Sequence, residues 1–439
     1  MAVAGEKGIV KTRLTTKSAA AVALVAAVAT APLVAQTQSV RLEEAIDMAM
    51  RSQPAMIQAY GQVSNANAAQ LQAVGGWLPS LSASSGFSSN SSTRYDQATQ
   101  RTVVGSSTSY SSGISANLTV FDGLSRLYDN RIANADAAAA DATLINQEFQ
   151  TALQTKQTFF NALAAEELVR VSETQIERSL EQHEISKDKL AAGTATRSDT
   201  LRSSVDLANA RLQKLNAAAQ LANAEATLAR LIGVDGTVKA IREDDLLGMV
   251  EIDTTTLREE AQQRSPIVYQ ADAAVRAADA SVSATYGTYF PRLTASYSRS
   301  WSGSEVLDLN PSWSARLSAS WTLFNGFARE ASKSRAQVSR DNARAQADDS
   351  RRNVNTQLTQ YLTALAQAQA QHDVAAGNIA AGQEDLRVQR ERYRLGAATL
   401  LEVLVAQGSL DNAEVSIVQA RLDYLVAKAQ IEALIGREL

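Results

Sequence analysis

From Leu124 to Leu190 the chain carries neither proline nor glycine, and apolar residues return every three or four positions at Phe149, Leu153, Phe160, Leu163, Leu168, Val171, Ile176 and Leu180. That period puts them on one face of a helix. A second run, Phe327 to Leu395, repeats the pattern with Val338, Val354, Leu358, Leu362, Leu365, Ile379, Leu386 and Tyr393, weakened at Gly377 and Gly382. At 1.5 Å per residue each helix would be about 100 Å long. No ordinary globular domain takes that length, so the helices belong to a coiled coil, a bundle or a tube. Abundant alanine lets neighbouring helices approach closely.

Between shorter helices and these long ones the period changes to two. Leu293, Ala295, Tyr297, Arg299 and Trp301 alternate with serine and threonine, and so, with Arg316 among the polar positions, do Trp313, Ala315, Leu317, Ala319, Trp321 and Leu323. A fainter copy runs through Leu81, Ala83, Ser85 and Phe87, then Ile114, Ala116, Leu118 and Val120. Such runs have one apolar and one polar face. Their length, about 11 residues, suits a tilted strand crossing a bilayer, with hydroxyls toward a water-filled lumen and tryptophans at the interface. Two soluble hairpins packed on the helices are the blander reading. The Ser-, Thr- and Gly-rich stretches Asn90 to Ser107 and Ser302 to Ser312 read as outward loops.

Three anchors then recur at one offset of 203 positions: Phe121-Asp122-Gly123 with Phe324-Asn325-Gly326, Gly193 with Gly396, and Leu231-Ile232-Gly233 with Leu434-Ile435-Gly436. The chain is read as a duplication, with repeats at 36–233 and 255–439 and a linker at 234–254. Short helices, Arg41 to Val74 and Leu257 to Thr285, open the repeats, each broken at a proline, Pro54 or Pro266. These prolines are 212 apart, so the first repeat holds nine extra residues between Leu81 and Phe121, expected in its loop. Ahead of the first repeat, Lys7, Lys11, Arg13 and Lys17 precede an apolar run from Ala19 to Ala31, which marks residues 1–35 as a signal peptide.

Charge and chemistry narrow the function classes. The 42 basic and 46 acidic residues form no blocks, which disfavours a nucleic-acid partner. There is no cysteine. His183 and His372 are isolated among charged helix residues, and no phosphate loop, zinc spacing or nucleophile elbow is present. No enzyme, cofactor or metal site is expected; Asp244-Asp245 reads as surface or capping charge. Four strands cannot close a membrane barrel, and open edges cannot sit in lipid, so membrane strands here require several subunits.

In its order of elements the chain resembles the TolC family of outer-membrane efflux proteins. The resemblance rests on Leu78-Pro79-Ser80-Leu81 and Phe290-Pro291-Arg292-Leu293, on Val120-Phe121-Asp122-Gly123 and Leu323-Phe324-Asn325-Gly326, and on the glycine hairpins and closing Leu-Ile-Gly, and it spans Val40 to Gly436. It implies a mainly α fold with membrane β: a homotrimer in which a 12-stranded outer-membrane β-barrel, four strands per subunit, continues as a periplasmic α-barrel of 12 helices. Such a duct of a Gram-negative outer membrane passes drugs, ions or polypeptides from an inner-membrane pump through a periplasmic adaptor. By the same resemblance, Asp199, Tyr393 and Glu402 fall at the periplasmic gate. Ala398 and Val405 depart from the family pattern, leaving Arg197 or Arg394 as substitutes. Asp199 could equally cap the returning helix. The tips Gly193, Thr194, Arg394, Leu395, Gly396 and Ala397 would meet the adaptor, or the glycines only make the turns. An exported structural coiled coil is the alternative function.

Overall fold

The computed structural model describes residues 38–98, 100–242 and 254–439. The signal-peptide assignment and the Asp244-Asp245 pair lie outside them. The chain begins with β1 (Gln38–Val40), α1 (Leu42–Ser52), α2 (Pro54–Gly75), β2 (Ser80–Asp96), β3 (Arg101–Phe121), α3 (Ser125–Ala191) and α4 (Arg197–Ile232). It continues with β4 (Val238–Ala240), α5 (Thr254–Arg264), α6 (Pro266–Ala284), a 3₁₀ turn (Thr285–Tyr289), β5 (Arg292–Glu305), β6 (Asp308–Ser320), α7 (Ala328–Arg394) and α8 (Leu400–Ile435). Both long helices have 67 residues and both returning helices 36.

Local chemistry sets these boundaries. Pro54 and Pro266 each occupy the first turn of a new helix, where a missing N–H costs nothing. Gly233 and Gly436 close α4 and α8 in the left-handed conformation, at φ of 75° and 74°. At the strand-to-helix corners two consecutive residues are left-handed, Gly123-Leu124 and Gly326-Phe327. The glycine was expected there; the strained non-glycine beside it was not.

Strands and helices share one lateral order. The sheet runs β2-β3-β5-β6, antiparallel throughout. Beneath it α3 packs between α2 and α6, and α6 packs on α7. Lower down α3 packs between α4 and α8, and α8 on α7. The protomer is therefore a curved wall two layers of elements long, with β2, α2 and α4 along one edge and β6 and α7 along the other.

The hairpins differ from the expected loops. β2 and β3 have 17 and 21 residues, β5 and β6 have 14 and 13, and most of Asn90 to Ser107 and Ser302 to Ser312 is strand. The extra residues of the first repeat thus lengthen a hairpin of paired strands. Serine pairs explain it: Ser82–Ser115, Ser88–Ser109, Ser298–Ser314 and Ser300–Ser312 hydroxyls meet at 2.7, 3.1, 2.9 and 2.8 Å across the ladders. Cross-strand hydroxyl bonds give a polar composition a sheet to belong to.

Apolar cores occur where elements stack. Phe159, Phe160, Leu228 and Ile232 pack with Leu42 of α1 and with Val40, Val238 and Ala240 of the small β1-β4 pair. Val354, Leu358, Ile431, Leu434 and Ile435 pack under α5 and α6. The lower part of α3 is different, because its buried seam is Ser172, Gln175, Ser179, Gln182 and Ser186.

Candidate functional site: helix tips, cross-coil ion pairs and strand edges

At the lower end, both hairpins close by the same device. Thr194 N–H bonds the Lys189 carbonyl at 2.8 Å and Gly193 N–H the Leu190 carbonyl at 3.0 Å; Ala397 and Gly396 bond Arg392 and Tyr393 carbonyls at 2.7 and 3.1 Å. These are paired 6→1 and 5→2 bonds, which need a left-handed residue at Gly193 and Gly396. Thr194, Arg394, Leu395 and Ala397 are exposed around those turns.

The predicted gate residues occupy two kinds of place. Asp199 and Glu402 are equivalent by the 203 offset, and both are third residues of a capping box. Thr196 N–H and hydroxyl donate to Asp199 Oδ2 at 2.9 and 2.8 Å, while Asp199 N–H donates to Thr196 Oγ1 at 3.2 Å. Thr399 N–H and hydroxyl donate to Glu402 Oε2 at 2.6 and 3.0 Å, with the reciprocal bond at 3.4 Å. The Thr399 N–H, then its hydroxyl, holds the Glu402 carboxyl below the usual glutamate range. Tyr393 is only 4 % exposed, packed among Leu386, Leu400, Val403 and Leu410, and its hydroxyl has no partner among the described residues. Lys189 Nζ sits 4.6 Å above its ring and donates to its backbone carbonyl, tying α3 to the end of α7.

Sequence reasoning missed the ion pairs that join the two coiled coils. Arg178 of α3 grips Glu414 of α8 through both terminal nitrogens, at 2.9 and 2.5 Å, and Asp411 at 2.7 Å. Glu181 meets Arg390 and Arg394 of α7 at 2.8 and 3.5 Å. Beside them Ser179 donates to Asp206 at 2.8 Å and receives Gln407 Nε2 at 2.7 Å. Burial pushes the Asp411 carboxyl up, against the pull of Arg178, with Glu414 and Asp206 adding to the rise. The ion-pair partners lie more than 200 positions apart, and only the acid and base on helix faces could have signalled them.

At the upper end, β2 and β6 are the sheet's two outer strands. Leu81, Phe87, Trp313 and Leu317 stand exposed on it, and Trp321 just past the end of β6. Among the described residues no helix is long and apolar enough to cross a membrane.

The outer membrane efflux protein model matches residues 45–234 and 257–437. The chain belongs to that family. It is 26% identical over 382 residues to protein CyaE of Bordetella pertussis, covering 83% of this chain and 77% of that one. To the pyoverdine export outer membrane protein OpmQ of Pseudomonas aeruginosa it is 26% identical over 344 residues, covering 75% and 70%. The fold matches the crystal structure of CusC with a TM-score of 0.79 at 17% identity, covering 90% and 92%. VceC of Vibrio cholerae matches with a TM-score of 0.76 at 16% identity, covering 90% and 96%. The chain is thus an outer-membrane efflux or secretion channel of mixed β- and α-barrel type, and the family's members are channels rather than enzymes.

Proposed function

We propose that three copies of this chain, each read as two repeats of one unit joined by the 234–254 linker, close into a duct that receives cargo from an inner-membrane pump through a periplasmic adaptor. The observation that carries this is the pair of unlike edges on each protomer. α4 exposes Leu201, Val205, Leu212 and Leu215 along one edge, and α7 exposes Val374, Gly377, Ala381 and Val388 along the other. Because the two edges carry different residues, edge-to-edge contact is heterologous and head-to-tail, which gives a ring where the rotation between copies closes. The unpaired sides of β2 and β6 meet by the same rotation, so one operation satisfies strand edges and helix stripes together. Leu212→Asp should leave the protomer folded and abolish the ring; mass measurement of the detergent-extracted protein decides, and an intact trimer would sink the assigned edge.

At the periplasmic end Asp199, Tyr393 and Glu402 hold the closed gate in this reading, and the Arg178 and Glu181 pairs hold the two coils of a protomer together behind it. The reading predicts higher closed-state single-channel conductance for Asp199→Ala and Tyr393→Ala; unchanged conductance in both removes the latch and leaves Asp199 its cap. The tips Gly193, Thr194, Arg394, Leu395, Gly396 and Ala397 are the adaptor surface, testable by cross-linking from cysteines introduced at Thr194 and Ala397.

A further inference from the structure

The two strand-to-helix corners share an arginine that stacks on an aromatic ring and donates to the carbonyls of the incoming chain, and they differ at one carboxylate. In the first, Arg126 stacks 4.5 Å from the Trp77 ring and donates to the Val120 carbonyl at 3.2 Å and the Gly76 carbonyl at 3.4 Å. Its Nε is paired with Asp122 at 2.9 Å, in the interior of the corner. In the second, Arg329 stacks 4.7 Å from Tyr289 and donates to the Thr322 and Leu323 carbonyls at 3.1 and 2.9 Å. Asn325 stands where Asp122 stood. The Arg329 Nε is buried there with no hydrogen-bond partner among the described residues.

A guanidinium without an internal anion, beside a space lined by hydrogen-bond donors, suits an anion. Beside it is a cavity of about 330 Å³ whose lining includes Arg329, Asn325, Thr322, Ser332, Thr285 and Thr288, and no carboxylate. Donors remain there. Asn325 Oδ1 accepts the Arg329 N–H, which leaves its amide NH₂; Ser332 accepts from Arg335, which leaves its hydroxyl proton. Lys333, the next residue, holds its ammonium 4.7 Å above Tyr286.

We propose that this second corner binds the phosphodiester of a membrane lipid, the phosphate seated in that cavity, whose lining holds no carboxylate to repel it. The source is argued from position. The cavity lies just past the end of β6, and Trp321, Leu323, Phe324 and Phe327 around it are 60, 72, 70 and 69 % exposed. Exposed aromatics with cations at a sheet's end mark the bilayer interface, where headgroup phosphates lie beside acyl chains. The proposal rests on the outer-membrane assignment.

The test is to restore or remove the carboxylate. Full-length channel from outer membranes is delipidated in mild detergent, reloaded from phosphatidylglycerol vesicles or held in inorganic phosphate, washed, and analysed for retained ligand by native mass spectrometry. The wild-type chain should keep about one lipid per protomer. Asn325→Asp supplies an internal anion and should lower retention on the order of tenfold; Asp122→Asn opens the first corner and should raise it. Equal retention in wild type and Asn325→Asp, or binding of inorganic phosphate with no lipid retained, overturns the proposal. Should Asn325→Asp fold poorly, the gain at Asp122→Asn still decides it. Membrane fractionation of the same proteins reports the location separately, so a failure of that assignment is not mistaken for a failure of the site.

Discussion

Replacing Gly123 by alanine should damage this channel far more than replacing Gly193, although the two glycines have nearly the same backbone, with φ of 71° and 74°. The conformational term is therefore common to both, about 1 to 2 kcal/mol for a non-glycine residue in the left-handed region. Their surroundings differ. A methyl group at Gly123 would sit 2.5 Å from the Gly287 carbonyl oxygen and 2.6 Å from Phe290 Cβ, whereas one at Gly193 meets nothing within 4 Å. The Gly287 oxygen is backbone and cannot rotate away; the 3₁₀ turn over Thr285–Tyr289 must shift with it, an overpacking cost of about 1 to 3 kcal/mol more. Gly123→Ala should thus cost roughly 2 to 5 kcal/mol and Gly193→Ala about 1 to 2. Thermal denaturation of the purified channel, scanned at one rate because such assemblies unfold irreversibly, should rank wild type above Gly193→Ala above Gly123→Ala. Hydrogen exchange should rise at the 119–127 corner in the last variant only. Equal melting of the two variants would refute the steric argument.

Three further outcomes are expected. Thr399→Ala removes the side-chain acceptor at the start of α8 and should loosen that end by about 1 kcal/mol, read as faster exchange at Leu401, Glu402 and Val403; no change there would mean the cap is dispensable. Because the Glu402 carboxyl is held below its usual range, its stabilisation is present above the ordinary glutamate pKa and lost as pH falls through the depressed one. Glu402→Gln should flatten that acidic limb, and a limb of unchanged slope counts against it. Asp411 has the opposite sign: its raised pKa means that proton binding favours the folded wall below the ordinary aspartate range, a gain lost as pH rises through the raised value. Asp411→Asn should leave the melting temperature equal or higher at neutral pH, with less gain on acidification than wild type, and a clear loss at neutral pH contradicts the burial argument.

Much of the architecture was legible without coordinates, and for a local reason. Proline-free runs, apolar residues returning every three or four positions and the turn glycines Gly193 and Gly396 are properties of short windows, so the paired 67-residue helices and their turns follow from the chain alone. The equivalence of Asp199 and Glu402 was legible too, because it needs only the 203 offset; the resemblance places both at the gate, and the coordinates give both one role in the caps. Composition misled at Asn90 to Ser107, where serine-rich sequence reads as loop. A strand lining water has the composition of a loop, and only the partner strand distinguishes them.

What the tertiary structure alone decided concerns groups far apart in the chain. Arg178 finds Glu414, Lys189 caps the end of α7, and Tyr393 turns into the α7-α8 core, because packing of whole helices brings those faces together. Asn325 for Asp122 is visible in the sequence as one changed letter. That the Arg329 Nε beside it is buried without a partner among the described residues is visible only in the fold, since burial and hydrogen-bond satisfaction depend on every neighbour at once, while periodicity depends on the chain's own succession of residues.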